Sequence, residues 1–546
     1  MTETQAKSLF LRDATGLLKP WSLWDGYIYN VFAVNAFLIY GATFVNGYGI
    51  SPGVNMWLAL IIVAVTSTFL AYNEAALIAS MPRSGGDYVF QSRILSGGVG
   101  YVLTWGLMLV NQPAIFGVLA GWWLATMVLA PFLTIYGATL NIPALTNLGL
   151  WMTTQIGIFA MAVIAAIWST YINLAGMKAY RRLQKWFFAV GVVSFGIVLV
   201  LLAIYGIGGF PAAFDQFGTS VVGVSPGAYQ GVLNEAYKLG FTADAAPPTD
   251  AIIVSMPFAF GAMAVAWSAF NAGEIKGASS LRSQMVQVVG ASVTSAALSF
   301  VLLYVITAVS GDLWYRAASW LYWNYPTNYT NVAGPIAPFF GLVLAILFFR
   351  NPIGLLTVFI AFQAWFWMWY PNIQLAVSRY MLALSFDRAF PAVFAKVSDR
   401  FKTPHVSVLV IFVLALIWSW IFSFPQYIQY TVLVSLIGII GYAGSALAGV
   451  AMPWKRKDLF RASPASAQYL GPIPVIVICG GVWVIYSIIC SWLFLTDPAF
   501  FVYNPVAVAF FVLTFATGAA SYYAFKLYRR KQGINLKLLY TQIPVE

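Results

Sequence analysis

Runs of about twenty apolar residues, separated by short polar stretches, set the pattern of this chain. A helix that crosses the roughly 30 Å hydrocarbon layer of a bilayer needs about 20 such residues, so each run predicts a membrane span. The runs fall at about 26–49, 54–80, 98–130, 151–173, 184–210, 251–273, 286–310, 352–382, 405–423, 427–452, 471–496 and 503–526, about twelve in all. The stretch 335–349 is apolar but short, and predicts a helix on the outer face leading into span eight. The expected fold is an all-α membrane protein with a tail at 1–20, one membrane domain over 21–530 and a second tail at 531–546. No soluble domain or low-complexity linker interrupts it.

Composition agrees with that pattern. Hydrophobic residues make up 61% of the chain and charged ones 8%, against roughly 45–50% and 25% in soluble proteins. Too few polar groups remain to cover a water-soluble particle, so the lipid bilayer is the expected surrounding. The 17% of aromatic residues fits as well, since Trp and Tyr collect at membrane interfaces.

The net charge of +12 would raise nucleic acid as a partner in a soluble protein. Its distribution removes that reading. With the amino terminus inside, 25 of the 28 Lys and Arg fall in the tails and inner loops, leaving Lys238, Arg316 and Arg350 outside. That split obeys the positive-inside rule and predicts a cell-membrane protein with both termini in the cytoplasm. The first twenty residues are polar, so no cleavable signal peptide is expected. Cys479 and Cys490 lie in one apolar run, about 16 Å apart on a helix, too far for a disulfide.

Enzyme chemistry has no foothold in the sequence. His405 is the one histidine and lacks an imidazole or thiol partner, so neither a metal site nor a histidine-based triad can be built, and a satisfied surface residue is expected. No Walker A loop or cofactor motif is present, and no cofactor is expected. Three acids fall within or at the ends of spans: Asp25, Glu74 and Glu274. Such residues are functional candidates because an unpaired one is costly. All three lie near the inner face, and pairing with loop arginines suits Asp25 and Glu74 best. In span three, Asn111-Gln112-Pro113 forms a polar, helix-breaking cluster that suits either a kink or the lining of a pocket. Span eight carries Trp365, Trp367, Trp369 and Tyr370, a stripe that suits packing or lipid contact more readily than a lid.

Residues 81–90 (MPRSGGDYVF), following span two, resemble the amino acid-polyamine-organocation superfamily. Three further stretches are similar in order and spacing: 173–178 (NLAGMK) with Gln184, 273–276 (GEIK), and 378–391 (SRYMLALSFDRAFP) with Asn372 before it and Thr403-Pro404 after it. The resemblance covers about residues 20 to 455. It implies the leucine-transporter fold, with spans 1–5 at about 26–210 and spans 6–10 at about 251–452 as inverted repeats, and two appended spans at about 471–526. Such transporters hold substrate at the midplane against breaks in spans one and six. The implied break in span one is Val34-Asn35-Ala36-Phe37-Leu38, where Ala36 and Leu38 depart from the usual Gly-x-Gly and Asn35 is the turn-tolerant residue. In span six it is Phe260-Gly261-Ala262-Met263-Ala264, whose small residues also suit plain helix packing. With Asn111 and Trp365, these residues from Val34 to Phe37 and from Phe260 to Ala264 are the expected substrate site.

The function implied is secondary transport of amino acids, and the neutral character of the expected pocket favours uncharged ones. A cationic amino-acid or polyamine carrier would want an acid in span three, six or eight. A channel would want a filter motif or a ring of charge, and a membrane sensor a signalling domain. Some relatives place a Lys seven residues after the Gln that opens span five, but counting from Gln184 reaches Gly191. The middle of span eight also lacks hydroxyl residues that would hold sodium. Coupling is then expected through protons, with Glu74 and Glu274 the groups to test, or is absent.

Overall fold

The structure, a computed structural model, describes residues 17, 19–205, 208–424, 427, 431–496, 505–541 and 543. Twelve helices among them are long and apolar enough to cross a membrane. They are span one (Leu23–Ile50), two (Met56–Ser80), three (Gly97–Thr139), four (Gln155–Leu174), five (Met177–Ile204) and six (Pro248–Glu274). Span seven is Leu281–Ser310, eight Pro352–Phe386, nine His405–Phe422, ten Leu433–Lys455, eleven Val475–Thr496 and twelve Pro505–Lys531. Together they make an all-α, multi-pass membrane protein. The tail at 1–20 lies almost wholly outside the described residues.

Spans three, five and eight run further than their apolar stretches suggest. Span five is the clearest case. It starts at Met177 and carries Lys178, Arg181, Arg182 and Lys185 on its first turns. Hydropathy marks only the part of a helix that sits in hydrocarbon, whereas backbone hydrogen bonding carries the helix on past the interface.

Spans one, six, three and ten form the core of the bundle. The most apolar stretch of span one is 100% buried within the protein, against 22% in span twelve and 28% in span five. The outer spans therefore give their apolar side chains to lipid, as Val193, Ile204, Ile488 and Val512 do.

The connections fall on two faces. One, which we call the basic face, holds the start of span one, the end of span twelve and most of the Lys and Arg. On the opposite face, residues 208–250 and 311–351 fold into a helical cap. Trp314 is buried at its centre, 5.0 Å from both Phe210 and Phe214 and stacked on Tyr229 at 5.5 Å. The short apolar stretch before span eight is helical at Phe340–Leu347, and is buried against spans three, seven and eight. Cys479 and Cys490 are both buried and free.

The charge split predicts that the basic face is cytoplasmic. Ser463 in the loop between spans ten and eleven is buried and hydrogen-bonded to the Phe460 carbonyl, so a label belongs on exposed Ala467 instead. With both native cysteines buried, Ala467→Cys should react with a membrane-impermeant maleimide only after cells are permeabilised. Reaction in intact cells would reverse the orientation.

Candidate functional site

Span one is two half-helices, Leu23–Val34 and Ala36–Ile50, joined at Asn35 in a left-handed conformation (φ 44°, ψ 71°). Asn enters that region more readily than other side-chain-bearing residues, so Asn35 makes the turn while Ala36 and Leu38 stay helical. The interruption removes regular i→i−4 partners from the backbone on either side. Span eight supplies replacements. The Trp369 indole Nε1 donates to the Ala33 carbonyl at 2.7 Å, and the Asn35 Nδ2 donates to the Trp365 carbonyl at 3.0 Å. These two partners sit one turn apart. Pro371, having no N–H, likewise frees the Trp367 carbonyl, which accepts from Trp168 of span four at 2.8 Å.

Span six behaves differently from the expectation. Pro248–Ala262 is α-helical and Met263–Glu274 continues as a 3₁₀ helix. The backbone changes its winding within the expected segment but does not open into free chain. Asn30 grips the tighter half: its Oδ1 accepts from the Ser268 N–H at 2.9 Å while its Nδ2 donates to the Ser268 hydroxyl at 2.9 Å and the Gln287 carbonyl at 3.0 Å. Gly261 is where spans one and six touch, since a Cβ there would lie 2.3 Å from Ile39 Cγ2.

Between these spans lies a narrow cavity of about 10 Å³, room for a single water in this closely packed arrangement. Phe260, Gly261, Met263 and Ala264 line it, as expected for span six, but Ala262 does not. From span one the lining comes from Ala33 and Ile39, which flank the break, whereas Val34, Asn35, Ala36 and Phe37 are buried away from it. In span three Gln112 faces the cavity and Asn111 does not. In span eight Trp369 does so in place of Trp365. Trp267 and Tyr442 complete the wall, and neither had a sequence signal beyond lying in an apolar run. Ile39 and Trp369 are each one helical turn from an expected residue, on the same face of the helix but at a different depth.

A second space of about 50 Å³ shares Ile39, Ile115 and Phe260 with the cavity and continues past Thr43, Asn46 and Ser435 toward the face opposite the basic one. The basic side is shut. Trp21 pairs with Ile275 through backbone hydrogen bonds, Trp21 N to the Glu274 carbonyl at 3.3 Å and Lys276 N to the Trp21 carbonyl at 2.9 Å. Tyr29 and Tyr180 both bond to Asn372, and Arg93 meets Asp387 at 2.6 Å with both side chains buried.

The three acids fall into distinct roles. Asp25 closes a capping box with Ser22 and pairs with Lys185 at 3.1 Å. Glu274 takes a two-point ion pair from Arg379, at 2.8 and 3.2 Å, in a fully buried setting. Glu74 has no arginine and neither of its buried oxygens makes a hydrogen bond, so the expected pairing falls to Glu274 rather than Glu74. His405 is half-buried and its Nδ1 makes no hydrogen bond, which differs from the satisfied surface residue expected. No cluster of metal-ligating side chains occurs among the described residues.

Gly191 occupies the place where a lysine was sought. A Cβ there would stand 2.8 Å from Trp365 Nε1. Trp365 fills the space with Phe32 at 5.1 Å, Phe37 at 5.0 Å and Phe188 at 5.9 Å.

Two variants test these contacts. Trp369→Phe leaves the Ala33 carbonyl without its donor and should cost about 1–3 kcal/mol, read as a lowered Tm in detergent. Arg379→Met strands a buried carboxylate and should cost about 3–5 kcal/mol, whereas adding Glu274→Leu should restore most of it. A double variant no more stable than Arg379→Met alone would show that the pair is not what holds this region.

Comparison with known proteins adds to the geometry. No curated protein matches the chain. Residues 29–519, most of the chain and all but the ends of the bundle, match the amino acid permease family. A bundle of twelve spans around a cavity beside a broken helix, with that match along it, places this chain in the amino acid permease family.

Proposed function

We propose that the chain carries uncharged amino acids across the cell membrane by alternating access, without sodium, with its basic face and both termini in the cytoplasm. The observation that carries this reading is the lining of the cavity. Gln112 and the Tyr442 hydroxyl are its polar side chains, and no charged residue faces it. A cationic amino acid or polyamine would leave an uncompensated charge in that wall, which disfavours the alternative carrier. The zwitterionic end of a substrate would use the backbone instead. The carbonyl end of Leu23–Val34, where Ala33 lines the cavity, suits an ammonium.

The arrangement corresponds to an outward-facing state, because the space above the cavity leads away from the basic face. The break in span one and the change of winding in span six fall at equivalent places of an inverted repeat of spans 1–5 and 6–10. The Trp365 cluster beside Gly191 supports independence from sodium.

Purified protein in liposomes should exchange a labelled uncharged amino acid in sodium-free buffer, with competition from uncharged amino acids and none from polyamines. Gln112→Leu should raise the KM roughly tenfold, about 1.4 kcal/mol, with little change in Tm. Strict dependence on sodium, or competition by polyamines alone, would overturn the reading.

A further inference from the structure

Beneath the cavity, toward the basic face, lies a second polar centre that the substrate reading does not use. Glu74 of span two and Asp87, the first residue of the helix Asp87–Ile94, are both fully buried and within electrostatic reach of each other. The Ser445 hydroxyl donates to Asp87 Oδ1 at 2.5 Å. Gln91 Nε2 donates to the Gly441 carbonyl at 2.9 Å and to Ser445 Oγ at 3.1 Å, and Asn73 Nδ2 to the Ser445 carbonyl at 3.2 Å. The amide oxygens of Asn73 and Gln91 lie against Gly449 and Gly444 of span ten. Of the carboxylate oxygens, Asp87 Oδ2 and both of Glu74 have no close donor, Asn73 being the amide nearest Glu74. One uncommitted donor stands close by, the Tyr442 hydroxyl, which is buried and whose oxygen is met by the Trp267 indole, leaving its O–H free.

No cation balances the centre among the described residues. On the elements packed around it, Glu274 is paired with Arg379, Arg93 with Asp387 and Asp458 with Arg456, the half-buried Arg83 in the loop before Asp87 donates to the Pro82 carbonyl, and Arg282, Lys457 and Arg461 are exposed. Tyr442 is the titratable group of span ten that faces the pair. A buried centre with surplus acceptors and two like charges is stabilised by a proton, which supplies the missing donor and removes one charge. No third Asp, Glu, His or Cys joins the two carboxyls, so a divalent metal is not favoured.

We propose that Glu74 and Asp87 together hold one transported proton, exchanged with the substrate cavity past Tyr442, and so couple this permease to the proton gradient. This rests on the permease reading and assigns its driving ion. Tyr442 lies in both places, lining the cavity and facing the carboxyls. Glu74 is six residues from the basic end of span two, about 9 Å, so the proton has a short exit on that side. Occupancy is also tied to the gate. The loop before Asp87 is fastened to the 3₁₀ half of span six by Gly85 N donating to the Phe270 carbonyl at 3.1 Å, and a Cβ on Gly86 would lie 2.9 Å from the Phe270 ring. Burial pushes the Asp87 carboxyl up to about 6, against the pull of the Ser445 hydroxyl. Asp87 therefore holds its proton on the acidic side and loses it as pH rises.

The test uses the full chain in liposomes, with an acid-outside pH gradient, a labelled uncharged amino acid and a pH dye inside. Wild type should accumulate substrate at least tenfold and acidify the lumen as it does so. Glu74→Gln and Asp87→Asn, which mimic the protonated carboxyls, should still exchange amino acid for amino acid but lose accumulation and lumen acidification. Tyr442→Phe should slow both. Exchange in the variants shows that they fold. Accumulation and acidification at wild-type levels in both carboxyl variants would overturn the proposal, as would a wild type that exchanges but is driven by sodium or by no gradient. A wild type that exchanges no amino acid at all would instead overturn the permease reading beneath it.

Discussion

In hydrocarbon no water is available to satisfy a backbone group, so a helix can be interrupted only where other protein atoms take over its hydrogen bonds. That constraint organises the whole centre of this protein. Asn35 interrupts span one, and span eight answers with the Trp369 indole on the Ala33 carbonyl and the Trp365 carbonyl beneath the Asn35 amide. Because the substitute partners sit on a neighbouring span, the break is held at a set distance from that span. The cavity is the space this leaves between spans one, three, six, eight and ten. Span six borders the same space without opening its chain, by tightening to a 3₁₀ helix that keeps local hydrogen bonds.

The two sides of the cavity are bordered by different kinds of contact. Toward the basic face stand directional contacts: the Glu274–Arg379 and Arg93–Asp387 ion pairs, the Asn30 clamp on Ser268, and the bonds of Asn372 to Tyr29 and Tyr180. Buried ion pairs add little net stability over apolar packing, but breaking one partner away is costly, so they favour one arrangement over its near alternatives. Toward the other face the contacts are mostly apolar and aromatic, as in the Trp314 cluster, with the Arg316 guanidinium 5.3 Å over the Tyr48 ring. Such surfaces slide past one another without stranding a polar group. An alternating-access cycle would therefore spend its main barrier on the basic side, where Asp87 and Glu74 adjoin the gate.

The amino-acid sequence by itself determined everything that depends on the solvent. Apolar run length gave all twelve spans, with ends that fell short at Met177–Leu183 before the apolar part of span five and overshot at 471–474, where a short strand pair precedes span eleven. The interruption of span one was implied by the family resemblance, and within it Asn35 is the residue that adopts the left-handed conformation. What only the tertiary structure decided was which side of each helix faces the cavity and which charge meets which. A shift of one residue on a helix turns a side chain by about 100°, so Gln112 rather than Asn111 looks inward, whereas Trp369 lines the cavity in place of Trp365 because it lies one turn further along the same face. Ion pairing is likewise a matter of which loops come together. Arg379, 105 positions from Glu274 in the chain, neutralises it, and Glu74 is left facing Asp87 instead. Periodicity and composition act locally, whereas these pairings arise from packing between distant segments.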